Sequence, residues 1–263
     1  MDRNIRIARE LVRIARDLVA KELVIIPFGG NDDRFVESGD DNSNIGNKTD
    51  RSFPYEIWAI DLKSMDEASP EFKKVSNLIR DIQRNPNKRW ILWTSKNNVE
   101  GLMPFCERNG FVPDAVNDNV KEVRDYYGAN SRKVYAHHYV DMRNIGIDSV
   151  SDAMKSREDG KKTVYAIDFD GTIAETDRTF PQVERANDNI VDFIKNVIQP
   201  DPSKEWVLYT CRVGEPERMA EQWCYDNGLY PVAVNSNARN HGDRKINADY
   251  YIDDRNVDLS SMV

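Results

Sequence analysis

The feature that most constrains this chain of 263 residues is that its sequence runs twice. Residues 57–62 read IWAIDL and residues 164–169 read VYAIDF, while residues 89–96 read RWILWTSK and residues 205–212 read EWVLYTCR. FCERNGFVPDAVN at 105–117 matches WCYDNGLYPVAVN at 223–235. Finally, Arg132 and Lys133 followed by YVDMRN at 139–144 match Arg244 and Lys245 followed by YIDDRN at 251–256. Four blocks kept in one order and at nearly one spacing mark a duplicated unit, so the chain holds two copies of one domain. Its length also suits two domains better than a single core.

Each copy alternates β-rich runs with helical patterns. In the second copy the runs at 164–168, 206–210, 231–234 and 249–252 predict strands. Residues 183–198 and 215–227 predict helices, the latter closed by Gly228 at a C-cap position. Alternation at this spacing implies βαβ units, hence an α/β fold of two tandem Rossmann-like parallel sheets with helices on both faces. Functional groups then belong at the carboxyl ends of the strands. The expected layout is a first copy over 54–150, a polar connector over 151–162 and a second copy over 163–263.

Ahead of the repeats, residues 6–12 and 13–19 share an Arg-Ile-Ala-Arg-acid-Leu-Val heptad that places Ile7, Leu11, Ile14 and Leu18 at a/d spacing. This predicts an amphipathic helical segment over 1–27. Packing on its own domain is one reading; docking of a protein partner or self-association through residues 5–19 is the other. Residues 28–53, rich in Gly, Asp, Asn and Ser, have the composition of an acidic flexible linker.

Composition narrows the classes of function. No apolar run approaches the roughly 20 residues of a membrane span, and no signal peptide opens the chain, so no membrane role is expected. The formal net charge of -8 argues against a nucleic-acid binder held by phosphate attraction. Cys106, Cys211 and Cys224 form no CxxC pair, which argues against a disulfide framework or a zinc site and suits the cytoplasm. Cys211 reads as a buried structural thiol. His137, His138 and His241 lack ligand spacing.

The chemistry concentrates in Asp168-Phe-Asp170-Gly171-Thr172, where two carboxylates leave the end of a buried strand and a glycine lets the backbone turn. Oxygen donors of this kind suit a hard cation such as Mg2+, which takes one or two carboxylates with water and substrate phosphate. This segment resembles the first motif of the haloacid dehalogenase superfamily. Thr210 resembles its second motif, Lys245 its third and Asp253-Asp254 its fourth, in the manner of small, nearly capless bacterial and phage members. The resemblance implies a Mg2+-dependent phosphomonoesterase acting through an aspartyl-phosphate. In that scheme Asp168 is the nucleophile, Asp170 the general acid and base, and Thr210 and Lys245 bind the phosphoryl oxygens. Asp168, Asp253 and Asp254, with Asp170 through its backbone carbonyl, form the metal set. Arg212 has two readings, a substrate contact or a salt bridge.

No stretch is long enough for a large cap, so an open site for a phosphorylated small molecule or nucleotide is expected. The first copy carries Asp61, Thr94, Lys133 and Asp141 at the matching positions. It departs at Lys63, Ser64, Met65 and Met142, which stand where the second copy has Asp170, Gly171, Thr172 and Asp254. It therefore reads as degenerate, with Lys63 expected to pair with Asp61 or Asp141 in place of a metal. The rival reading of the whole chain is a non-catalytic binding or assembly module built on the duplicated fold.

Overall fold

The computed structural model describes residues 53–259, apart from Ser64, Asp177 and residues 238–243, with the backbone alone at Lys96, Asn97 and Met154. The predicted N-terminal helix and nearly all of the acidic linker lie outside the described residues. In the first copy, strands β1 (Glu56–Ile60), β2 (Lys88–Leu92), β3 (Ala115–Val116) and β4 (His138–Val140) make a parallel sheet in the order β3-β2-β1-β4. Helices α1 (Pro70–Arg84), α2 (Lys96–Asn109) and α3 (Lys121–Tyr127) connect them.

In the second copy, β6 (Thr163–Ile167), β9 (Lys204–Leu208), β10 (Ala233–Val234) and β11 (Tyr250–Ile252) form a parallel sheet in the order β10-β9-β6-β11. A fifth strand, β5 (Asn144–Ile145), joins its edge. A short antiparallel hairpin, β7 (Ala174–Glu175) with β8 (Arg185–Ala186), follows the first acidic motif. The predicted helix at 183–198 begins later: α4 (Asp188–Phe193) continues as a π-helical turn over Ile194–Ile198, because residues 185–186 are spent on β8. Helix α5 (Glu215–Asp226) ends as expected, with Gly228 at φ 73 and Leu229 N–H donating to Cys224 O at 2.8 Å. Among the described residues no helix is long and apolar enough to cross a membrane.

The strands read as unbroken apolar runs because both faces of each sheet are buried. In β1 and β2, Ile60, Trp90 and Leu92 face α1, where Phe72, Val75, Ile79 and Ile82 follow helical spacing. In β6 and β9, Tyr165, Ile167, Trp206 and Leu208 face the helical side of the second copy. The alternate residues, Ile57, Ala59, Ile91 and Trp93 from one sheet and Ala166, Val207, Tyr209 and Tyr251 from the other, share a third core. Sequence alternation predicts helices on both faces. In the structure one face of each sheet packs into a core shared with the other copy, to which α3 contributes Val123.

The copies are also intertwined. Tyr139 N–H donates to Arg255 O at 3.0 Å, and Tyr251 N–H donates to Arg143 O at 3.1 Å. Strand β5 pairs with β11 of the second copy, whereas Asn256 bridges to Tyr139 of the first. The chain continues this exchange on both sides. Val150 and Ala153 are buried in the helical-side core of the second copy, and Val257 and Leu259 pack on that of the first. Within the polar connector expected at 151–162, Ala153 is buried in that core, while Ser151, Asp152 and residues 155–162 are exposed.

Candidate active site

The acidic side chains gather where topology requires. Ile167 pairs in parallel register with Leu208 and with Ile252, so Asp168, Thr210 and Asp253 all leave the same end of adjacent strands. Carboxylate oxygens of Asp168, Asp253 and Asp254 lie within 4.8 Å of one another. Asp168 and Asp253 are buried, and Asp254 opens to solvent. Thr172 fixes the mouth: its Oγ1 accepts from Asp254 N–H at 2.9 Å and donates to Asp254 Oδ1 at 3.3 Å. Gly171 must be glycine, since its φ is 80 and an added Cβ would stand 2.6 Å from Asp254 Oδ2.

Asp170 sits apart from this triad. Its carboxylate receives Arg212 Nε at 2.9 Å, Arg212 Nη2 at 2.7 Å and Thr176 Oγ1 at 2.6 Å. Arg212 is 4% exposed, bonds the carbonyls of Pro181 and Pro216 as well, and stacks between Phe169 and Phe180. Of its two sequence readings, the structure places it in the salt bridge, where it fixes Asp170 under the β7–β8 hairpin. Thr210 is fully buried, its N–H donating to Asn235 Oδ1 at 2.9 Å from a residue at φ 45. Thr94 and Asn117 repeat this pair in the first copy.

The lysines are exchanged, which corrects the assignment of Lys245 to the second copy's site. Lys245 Nζ bonds Asp61 Oδ2 at 2.8 Å, Asp141 Oδ2 at 2.7 Å and Trp93 O at 2.9 Å, all in the first copy. In its place Lys133 of the first copy reaches Asp168 Oδ1 at 2.7 Å and Asp253 Oδ2 at 2.5 Å. The physical cause is the crossing of the segments that precede β4 and β11. Arg132 Nε donates to Arg244 O at 3.3 Å and Arg244 Nε to Arg132 O at 3.0 Å, so each following lysine emerges over the opposite sheet.

Lys63 does not stand in for a metal either. Its side chain is exposed, and only its backbone N–H is bonded to Asp61, at 2.9 Å. The residue that sequence reasoning missed is Arg143, whose guanidinium bonds Asp61 Oδ2 at 3.0 Å and Asp141 at 2.8 and 2.9 Å. Its equivalent, Arg255, donates from Nη1 to Ala136 O at 2.9 Å.

The electrostatics of the two sites diverge accordingly. Burial pushes the Asp168 carboxyl up to about 8, reinforced by Asp253, Asp254 and Asp170 and opposed by Lys133. Burial and Asp253 likewise raise Asp254 to about 6. In the first copy burial also favours the neutral acid, but Lys245 and Arg143 outweigh it and hold Asp141 below the usual carboxylate range. Lys245 is pushed up to about 12, as Asp141 and Asp61 overcome the effect of its burial.

No family model and no curated protein matches the chain. A solved structure described as a conserved protein coded by a locus from Bacteroides thetaiotaomicron is similar at 32% identity. The match covers 38% of this chain and 85% of that one, with a TM-score of 0.33. The fold and the site together define an α/β protein of two parallel sheets, with an acid-rich cluster at the strand ends of its second half.

Proposed function

We propose that the chain is a Mg2+-dependent phosphomonoesterase whose chemistry resides in the second copy. The observation that carries the reading is the convergence of the Asp168, Asp253 and Asp254 carboxylates at one strand end, where burial and then the neighbouring acids raise the pKa values of Asp168 and Asp254. An all-carboxylate, partly open donor set fits a hard divalent cation. Asp168, Asp253 and Asp254 would hold Mg2+, which when bound supplies charge neutralisation of the phosphate. The Asp170 carboxylate is committed to Arg212 and Thr176, so Asp170 would reach the metal through its backbone carbonyl.

Asp168 attacks phosphorus as the bond to the leaving oxygen breaks, and that oxygen takes its proton from Asp170. Asp170 then removes a proton from water, which attacks phosphorus and releases phosphate from Asp168. For both transfers the Asp170 carboxyl has to turn from Arg212 toward the substrate, and for the first it must have taken up a proton from solvent. The β7–β8 hairpin is small beside a cap domain, which suits an open site and substrates carrying a terminal phosphate. Hydrolysis of p-nitrophenyl phosphate that requires Mg2+ and disappears in Asp168→Asn supports this reading. Folded protein with no Mg2+-dependent hydrolysis across a panel of phosphorylated metabolites and nucleotides rejects it.

A further inference from the structure

We infer that the hydrolytic site is built by both copies, with Lys133 of the first copy as the catalytic cation on Asp168. Lys245, which sequence position nominates, is the counter-charge of the first copy's acidic pair. This rests on the phosphatase reading above. An ammonium has three N–H donors. Those of Lys245 are spent on Asp61, Asp141 and Trp93 O, so none remains for the second site.

Lys133 is 4% exposed and lies over the rings of Tyr139 at 4.9 Å and Tyr209 at 5.9 Å, one from each copy. These contacts hold the ammonium on Asp168 Oδ1 before any substrate arrives. A preorganised positive charge beside the nucleophile is placed to stabilise the negative charge of the transferring phosphoryl group. The placement is set by the reciprocal Arg132 and Arg244 bonds and by Val134, Ala136, Ile246 and Ala248, all buried in the shared core. The first copy, which lacks an acid where Lys63 stands, is thus a component of the active site rather than an appended relic.

The test uses the full chain with Lys133→Met and Lys245→Met, read by p-nitrophenyl phosphate hydrolysis, Mg2+ titration calorimetry and thermal melting. Lys133→Met should lower kcat by roughly 100-fold or more. It should also tighten Mg2+ binding several-fold, because the ammonium competing for Asp168 and Asp253 is gone. Lys245→Met should melt earlier, yet keep kcat within about threefold and bind Mg2+ as before.

If Lys133→Met does not fold, Lys133→Arg should still lose roughly tenfold in kcat while Lys245→Arg stays within about threefold. Wild-type turnover in folded Lys133→Met, or loss of turnover in folded Lys245→Met, overturns the inference. A wild-type chain that hydrolyses no phosphate ester sinks the phosphatase reading instead. The Mg2+ titration still decides the placement of Lys133, since an affinity unchanged by Lys133→Met places that lysine away from the triad.

Discussion

The two acidic sites use nearly the same residue types on the same scaffold and reach opposite electrostatic states. In the first copy two buried carboxylates, Asp61 and Asp141, are met by two cations, Lys245 and Arg143. In the second, Asp168, Asp253 and Asp254 face Lys133, while the Arg212 guanidinium is engaged by Asp170. Two residues mark the difference. Arg143 turns onto its own site, and Asp254 stands where the first copy has Met142, which is 47% exposed. The balanced site is a joint between the copies, whereas the acid-rich site is the one proposed to take a divalent cation.

The comparison breaks most directly at the equivalent aspartates. Asp168→Asn should reduce turnover by at least about 10³-fold while the protein stays folded, because the amide is a poor nucleophile. Asp61→Asn should leave turnover within about threefold but cost on the order of 3 kcal/mol of stability, since it leaves Lys245 and Arg143 buried against a single carboxylate. Kinetics and chemical denaturation of both variants check this. A folded Asp61→Asn variant without activity would remove the division between joint and site.

The next effect is one of pH. The folded pKa of Asp168, about 8, lies above its ordinary value of 3.8, so the metal-free folded protein binds the extra proton. Its contribution to stability is full below the ordinary value and declines as pH rises toward 8. On the proposed reading Mg2+ binds the ionised site, so the rise in Tm on adding Mg2+ should be larger at pH 8 than at pH 6 and should vanish in Asp168→Asn. Asp141 has the opposite sign: its contribution is present above about 3.8 and is lost as pH falls below that value.

A smaller change is expected from Gly171→Ala. The strained φ and the contact with Asp254 should cost about 1–3 kcal/mol, and calorimetry should show Mg2+ bound roughly tenfold more weakly. The smallest concerns Met142→Asp, which restores the missing carboxylate to the first copy. Titration should still count one Mg2+ per chain, because Lys245 and Arg143 already hold Asp61 and Asp141. A second Mg2+ would show that the first site is degenerate only in one residue.

Much of this architecture is legible in the residues themselves. Apolar runs ending in Asp61 and Asp168 specify strands whose carboxyl ends carry acids, since burial of both faces and a sharp turn are local demands. The Thr94–Asn117 and Thr210–Asn235 pairs are visible as repeated letters, although their hydrogen bonds are not. Arg212 is harder to place, because its partner Asp170 is 42 positions away and a sequence offers several carboxylates at such distances. Arg143 is harder still. It and Arg255 sit in identical Asp-x-Arg-Asn settings, and nothing in those letters shows that the Arg143 guanidinium turns onto Asp61 and Asp141.

What the sequence by itself determined is the doubled α/β unit, the carboxylates that one strand order brings together and the loss of the acid at Lys63. What only the tertiary structure decided is which copy each lysine serves. A duplicated chain presents two equivalent lysines and two equivalent acidic ends, so self-pairing and cross-pairing look identical in sequence. The choice is made where the two copies share a core, because the segments that lead into β4 and β11 cross there and carry Lys133 and Lys245 onto each other's sites.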